Sequence, residues 1–133
     1  MNSYFSVSDA NKILPSVIKK FDHAKKMKIE VMKMEKKLSS GITLVTSLEE
    51  YSMVKRKFNS LVTEFYKSIE DLENTGVVLK GLDEGLLDFP AKRFNEEIWL
   101  CWKEGETEIK FWHEKDSGFM GRKPISVSNE SLV

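Results

Sequence analysis

Apolar residues recur at spacings of three and four along the first third of the chain: Leu14, Val17, Phe21, Ala24, Met27, Val31, Met34 and Leu38. That stripe is the seam of an amphipathic helix. Its opposite face is largely lysine. A second stripe follows with the same period, through Leu48, Tyr51, Val54, Phe58, Leu61, Phe65, Ile69 and Leu72. The S-x-x-E pattern of Ser47 and Glu50 marks its start, and Asn74-Thr75-Gly76 its stop, since glycine tolerates the left-handed cap. Upstream, Ser6 followed by Asp9 reads as an earlier helix start. Pro15 breaks that helix or opens the next one. The pattern predicts a short helix over 7–14, a kink, and a long helix from 15 to 39. The segment 39–47, SSGITLVTS, connects it to the second long helix. Two helices of about 25 residues, each ~37 Å long, joined by a short loop form an antiparallel hairpin.

After Gly76 the period changes to two. Ile98, Leu100 and Trp102 alternate with Trp99 and Cys101, and Ile109 and Phe111 with Lys110 and Trp112. Glu104-Gly105 suits a two-residue hairpin turn, which pairs Leu100 with Ile109 and Ile98 with Phe111. A second turn at Asn95-Glu96 pairs Arg93 with Ile98, Ala91 with Leu100 and Phe89 with Trp102. Apolar residues then face apolar residues. The expected sheet is a three-stranded antiparallel meander over 86–94, 97–103 and 107–113. VVLKGLDEG, 77–85, supplies another short strand. The fold class is therefore α+β. A helical hairpin, 1–75, forms one structural unit with a small antiparallel sheet, 76–125, and 126–133 is a frayed tail.

GVVLKGLDEGLLDFPAKR, EIWLCWKEGE and FWHEKDSGFMGRKPI resemble a bacterial and archaeal family known as uncharacterised protein family 2203 of the domain-of-unknown-function series. FSVSDANKILP is similar to that family's opening, where an aromatic residue and a hydroxyl cap precede an "EAN-LLP" pattern. One departure is the second turn, where the family often has Asp-Gly and this chain has Asn95-Glu96. The resemblance implies no activity, cofactor or catalytic residue.

Lysine plus arginine and aspartate plus glutamate number 21 each in 133 residues. That balance argues against a strongly basic nucleic-acid binder. Locally the charge is uneven: residues 19–37 hold eight lysines against three acids, a face that weakly supports contact with nucleic acid or ribonucleoprotein. The single cysteine, Cys101, excludes an internal disulfide and a cysteine-cluster zinc site, and it reads as a buried structural residue. MNSYFSVSDANKILP lacks the basic start and apolar core of a signal peptide, and no apolar run approaches ~20 residues. A cytoplasmic location without membrane contact is the expectation.

Candidate chemistry gathers near the C-terminal end. His113 follows Ile109 and Phe111 on the expected core-facing side of its strand, with Arg93 expected on the same face. Asp116 and Arg122 lie in the following loop, with Glu114 beside them. Such a cluster would bind an anion or serve acid–base catalysis; the competing reading is a hydrogen-bonded edge of the core. For a metal, His113 with Asp116 gives two ligands where catalytic zinc needs about three, so no metal or cofactor is expected. Asp88, before Phe89-Pro90, reads as a turn anchor rather than a general base. Trp99 and Trp112 are expected on one face and Trp102 on the other, as core and cover. GFMGR, 118–122, lacks the ending and frame of a phosphate loop and reads as a reversal that lays Phe119 on the sheet.

The hairpin points elsewhere. Ile18, Ile29, Met32, Met53, Val62 and Tyr66 flank the two stripes and widen them beyond what a two-helix contact covers. The leading expectation is a non-enzymatic interaction or assembly module, homodimeric through the hairpins. The rival is a small ligand-binding protein or enzyme built on Arg93, His113, Asp116 and Arg122.

Overall fold

The computed structural model describes residues 4–41 and 47–125. Most of the expected connection and all of the expected tail lie outside them. Helix α1 spans Val7–Gly41 and α2 Leu48–Glu73. Five strands follow: β1 Val78–Gly81, β2 Leu86–Arg93, β3 Glu96–Lys103, β4 Phe111–Glu114 and β5 Lys123–Pro124, with a 3₁₀ turn at Phe119–Gly121 before the last. They form one antiparallel sheet in the order β1-β2-β3-β4-β5. The fold is α+β, with five strands rather than three.

Both helix starts use the side chains that the sequence marks. Ser6 Oγ accepts from Asp9 N at 3.0 Å, and Ser47 Oγ from Glu50 N at 3.1 Å. The expected break at Pro15 does not occur, and α1 is one helix. An internal proline costs ~3 kcal/mol through its missing N–H. Here it lies on the exposed side, while Ala10 and Leu14 before it and Val17 and Phe21 after it are all buried. Burying apolar side chains on both sides of the proline offsets that cost.

The helix-facing side of the sheet carries Leu87, Phe89 and Ala91 of β2 and Ile98, Leu100 and Trp102 of β3. These form one core with Ala10, Leu14, Val17 and Phe21 of α1 and Leu72 of α2. Phe21 meets Trp102 edge to face at 5.3 Å. Ion pairs at the rim, Lys25–Glu104 at 2.5 Å and Lys28–Asp83 at 2.7 Å, join α1 to the turns of the sheet. Beyond Met27 no described residue of α1 is buried, and α2 buries only Ser68 and Leu72. The loop-proximal half of the hairpin is thus an arm, and the other half covers the sheet.

Two registers differ from expectation. The β2–β3 turn is Phe94-Asn95, both at positive φ (51° and 65°), not Asn95-Glu96. It pairs Phe89 with Leu100 and Ala91 with Ile98. This two-residue slip leaves every side chain on its expected face. The β3–β4 register moves by three, an odd number: Leu100 pairs with Trp112 and Cys101 with Phe111. Because side chains alternate, an odd shift exchanges the faces of β4. The cause lies in residues 106–110. The turn at Glu104-Gly105 forms, but Glu106 folds back on it. Its carboxylate accepts Lys103 N and its carbonyl accepts Trp102 Nε1, both at 2.8 Å. Ile109 is drawn into the core, its N–H donating to Asn11 Oδ1 of α1 at 2.7 Å. These residues form a loop instead of a strand. Trp112 therefore joins Trp102 on the helix side, and Trp99 lies on the other face.

Candidate functional site

The sheet face turned away from the helices carries polar groups between its apolar residues. Asp88 of β2 stands opposite Cys101 of β3, and His113 of β4 stands opposite Trp99. All three polar side chains are buried, at 3%, 1% and 3% exposure. The chain return after β4 covers them. Ser117, Gly118 and Phe119 face them across a cavity of about 200 Å³, with Lys80 and Leu86 completing its wall.

His113 is fixed at both nitrogens. Nδ1 lies 2.8 Å from the Glu114 carbonyl, which can only accept, so Nδ1 carries a proton. Nε2 faces both Asp88 oxygens, at 3.2 and 3.1 Å. The Cys101 thiol lies within 4.8 Å of the same carboxylate. Lys80 Nζ is 3.9 Å from Asp88 Oδ2 and 4.2 Å above the Trp99 ring. Burial is the main influence on Asp88 and raises its pKa, with His113 and Lys80 opposing. Burial, followed by the Asp88 charge, pushes the Cys101 thiol up to about 12. As a free thiol it is therefore protonated and inert, unlike the depressed thiols of cysteine nucleophiles.

Beside this cluster Arg122 lies over the Phe111 ring at 3.9 Å and near Phe119 at 4.8 Å. It pairs with Glu106 at 2.5 Å, and both side chains are largely buried. Its Nε is buried without a hydrogen-bond partner among the described residues.

The four residues singled out from sequence are therefore not one cluster. His113 and Arg122 share the outer face, but the Arg122 charge is matched by Glu106. His113 is not on the core-facing side, because of the three-residue shift. Arg93 lies on the helix-facing side, against Trp112 at 4.9 Å and Phe94 at 4.8 Å. Asp116 is an exposed turn residue. The residues that do converge on His113 are Asp88 and Cys101, both read from sequence as structural. The expected pair of metal ligands undercounts what the sheet brings together, and Asp116 is not part of the group. The usable signal was alternation: Asp88 stands out of phase with Leu87-Phe89-Ala91, and Cys101 out of phase with Ile98-Leu100-Trp102, which puts both on the opposite face. GFMGR is the expected reversal, with Phe119 laid over the cluster.

Of the proposed interface residues, Ile29, Met32, Met53 and Tyr66 are exposed, at 49%, 59%, 57% and 67%. Val62 is half-buried, and Ile18 packs against the core. No helix is long and apolar enough to cross a membrane among the described residues.

In comparisons with known proteins, residues 3–125 match the family described as "Uncharacterized conserved protein (DUF2203)". No curated protein and no solved structure matches the chain.

Proposed function

We propose that this chain, which belongs to the uncharacterised DUF2203 family, is an assembly module that pairs with a second copy of itself through the arm of its helical hairpin. The observation carrying this reading is the arm itself. Its seam residues Val31, Met34, Leu38, Tyr51, Val54 and Phe58 are only half-buried. Ile29, Met32 and Met53 flank them and are exposed. An α1 of 35 residues is ~52 Å long, whereas an eight-residue strand spans ~27 Å, so the sheet is too short to cover the hairpin. Large contiguous apolar patches mark interaction surfaces, and two hairpins forming a four-helix arrangement would cover both arms at once. Charge along the arm is of both signs: from Lys25 onward α1 carries Lys25, Lys26, Lys28, Lys33, Lys36 and Lys37 with Glu30 and Glu35, and the loop-proximal turns of α2 carry Glu49 and Glu50 with Lys55, Arg56 and Lys57. Two of these lysines, Lys25 and Lys28, already pair with the sheet's own acids, which weakens the reading of this face as a nucleic-acid surface.

Sedimentation equilibrium at micromolar concentration tests the reading. The expected mass is twice the 15.4 kDa chain. Met32→Glu or Met53→Glu should return it to the single-chain mass with helicity intact. A wild-type mass of one chain, independent of concentration, would refute self-assembly.

A further inference from the structure

From the side chains converging on the outer face of the sheet, we propose that Asp88, Cys101 and His113 form a binding site for a divalent transition-metal ion of the zinc class, with its fourth position open to the adjacent cavity. Three different strands supply the three groups, and their ligand atoms all lie within 4.8 Å of one another. Zinc bonds of ~2.0–2.3 Å at tetrahedral angles place neighbouring ligand atoms roughly 3.3–3.6 Å apart. The Nε2–carboxylate separation, 3.1–3.2 Å, is already close to that value. To hold a cation, His113 and Asp88 need part only by a few tenths of an ångström, and the widest pair of ligand atoms, no more than 4.8 Å apart, closes by about 1 Å at most.

The orientation of His113 is an independent indication. Metal-bound imidazoles characteristically donate their other N–H to a carbonyl or carboxylate, which fixes the ring and aims the free nitrogen. Nδ1 of His113 does this with the Glu114 carbonyl, leaving Nε2 directed at the cluster. The donor set also has the right charge. An Asp88 carboxylate and a Cys101 thiolate together balance one dication. Sulfur, imidazole nitrogen and carboxylate oxygen are a zinc-type mixture rather than a magnesium or calcium one.

Binding conserves protons simply. The cation displaces the Cys101 thiol proton and the proton held between Asp88 and Nε2, and both pass to solvent. Three protein ligands leave one tetrahedral position, as in zinc sites that exchange water or substrate. The cavity of about 200 Å³ compares with ~30 Å³ for one water, so a water or a small anion fits there. Lys80, on its wall, favours the anion.

Cobalt(II) added to reduced, metal-free protein tests the site. The expected result is one cobalt per chain, with thiolate-to-cobalt charge-transfer absorption in the near ultraviolet and intense visible bands of tetrahedral cobalt. Both should be lost on addition of one equivalent of zinc. Asp88→Asn and His113→Ala should weaken binding by about a hundredfold or more, since losing even an outer hydrogen-bond partner of a ligand costs ~10–100-fold. Cys101→Ser should abolish the charge-transfer band. A wild-type protein showing only weak octahedral cobalt absorption would overturn the proposal, leaving the three residues as a hydrogen-bonded structural cluster. That wild-type spectrum decides the matter even where a variant fails to fold.

Discussion

Arg122 shows how much a single side chain can hold in this fold. Its guanidinium packs on Phe111, faces Phe119 and pairs with Glu106, so it ties the returning chain to the loop that displaced the β3–β4 register. Removing it leaves the Glu106 carboxylate, itself mostly buried, without its cation. Unpairing a group of this kind costs about 1–3 kcal/mol. Arg122→Ala should therefore lower Tm by roughly 4–12 °C for a domain of this size. Arg122→Lys should fall between, since it keeps the charge but loses the planar stack. Calorimetry checks both, and an unchanged Tm for Arg122→Ala would remove Arg122 from the structural role. The role of this residue was half legible. Glycines and apolar residues punctuating 111–124 indicated a packed return, but its partner Glu106 lies in a segment that alternation had assigned to a turn and strand.

At the level of elements, helices were more legible than strand pairing. The cap residues Ser6 and Ser47 and the stripes of three and four act within one or two turns, so local sequence contains their cause. Register is set by distant contacts. Nothing in residues 104–111 indicates that Asn11, on another element, will take the N–H of Ile109, and that contact helps to decide which face His113 occupies. The β2–β3 turn has a further feature. Both of its central residues have positive φ, as the tight hairpin turn requires, yet one is Phe94, a bulky residue for which that region is unfavourable by about 1–2 kcal/mol. Phe94 is 69% exposed, and its ring lies against Arg93. Replacing it with a residue that tolerates this conformation should help: Phe94→Asn is expected to stabilise the protein by about 0.5–1 kcal/mol. The denaturation midpoint should rise at unchanged m-value, whereas a fall would show that the ring's contacts outweigh its backbone cost.

Among the described residues the molecule divides into a body covered by the sheet and an arm that the sheet does not reach, and the sequence did not mark that boundary. Both stripes continue unchanged from body to arm, because an apolar seam looks the same whether a sheet or another chain covers it. Only the short reach of the strands separates the two. The body, in turn, hides the chain's one thiol on β3, a strand paired on both sides. With its pKa near 12 and β2 and β4 flanking it, Cys101 should not react with a thiol reagent while the sheet is closed. Labelling then becomes a clock for opening. In the metal-free protein the rate at low reagent should follow the equilibrium between closed and open sheet, and at saturating reagent the opening rate itself. Fraying at the helical arm, however frequent, should leave that clock unchanged, so one native side chain would distinguish local motion of the hairpin from loss of the fold.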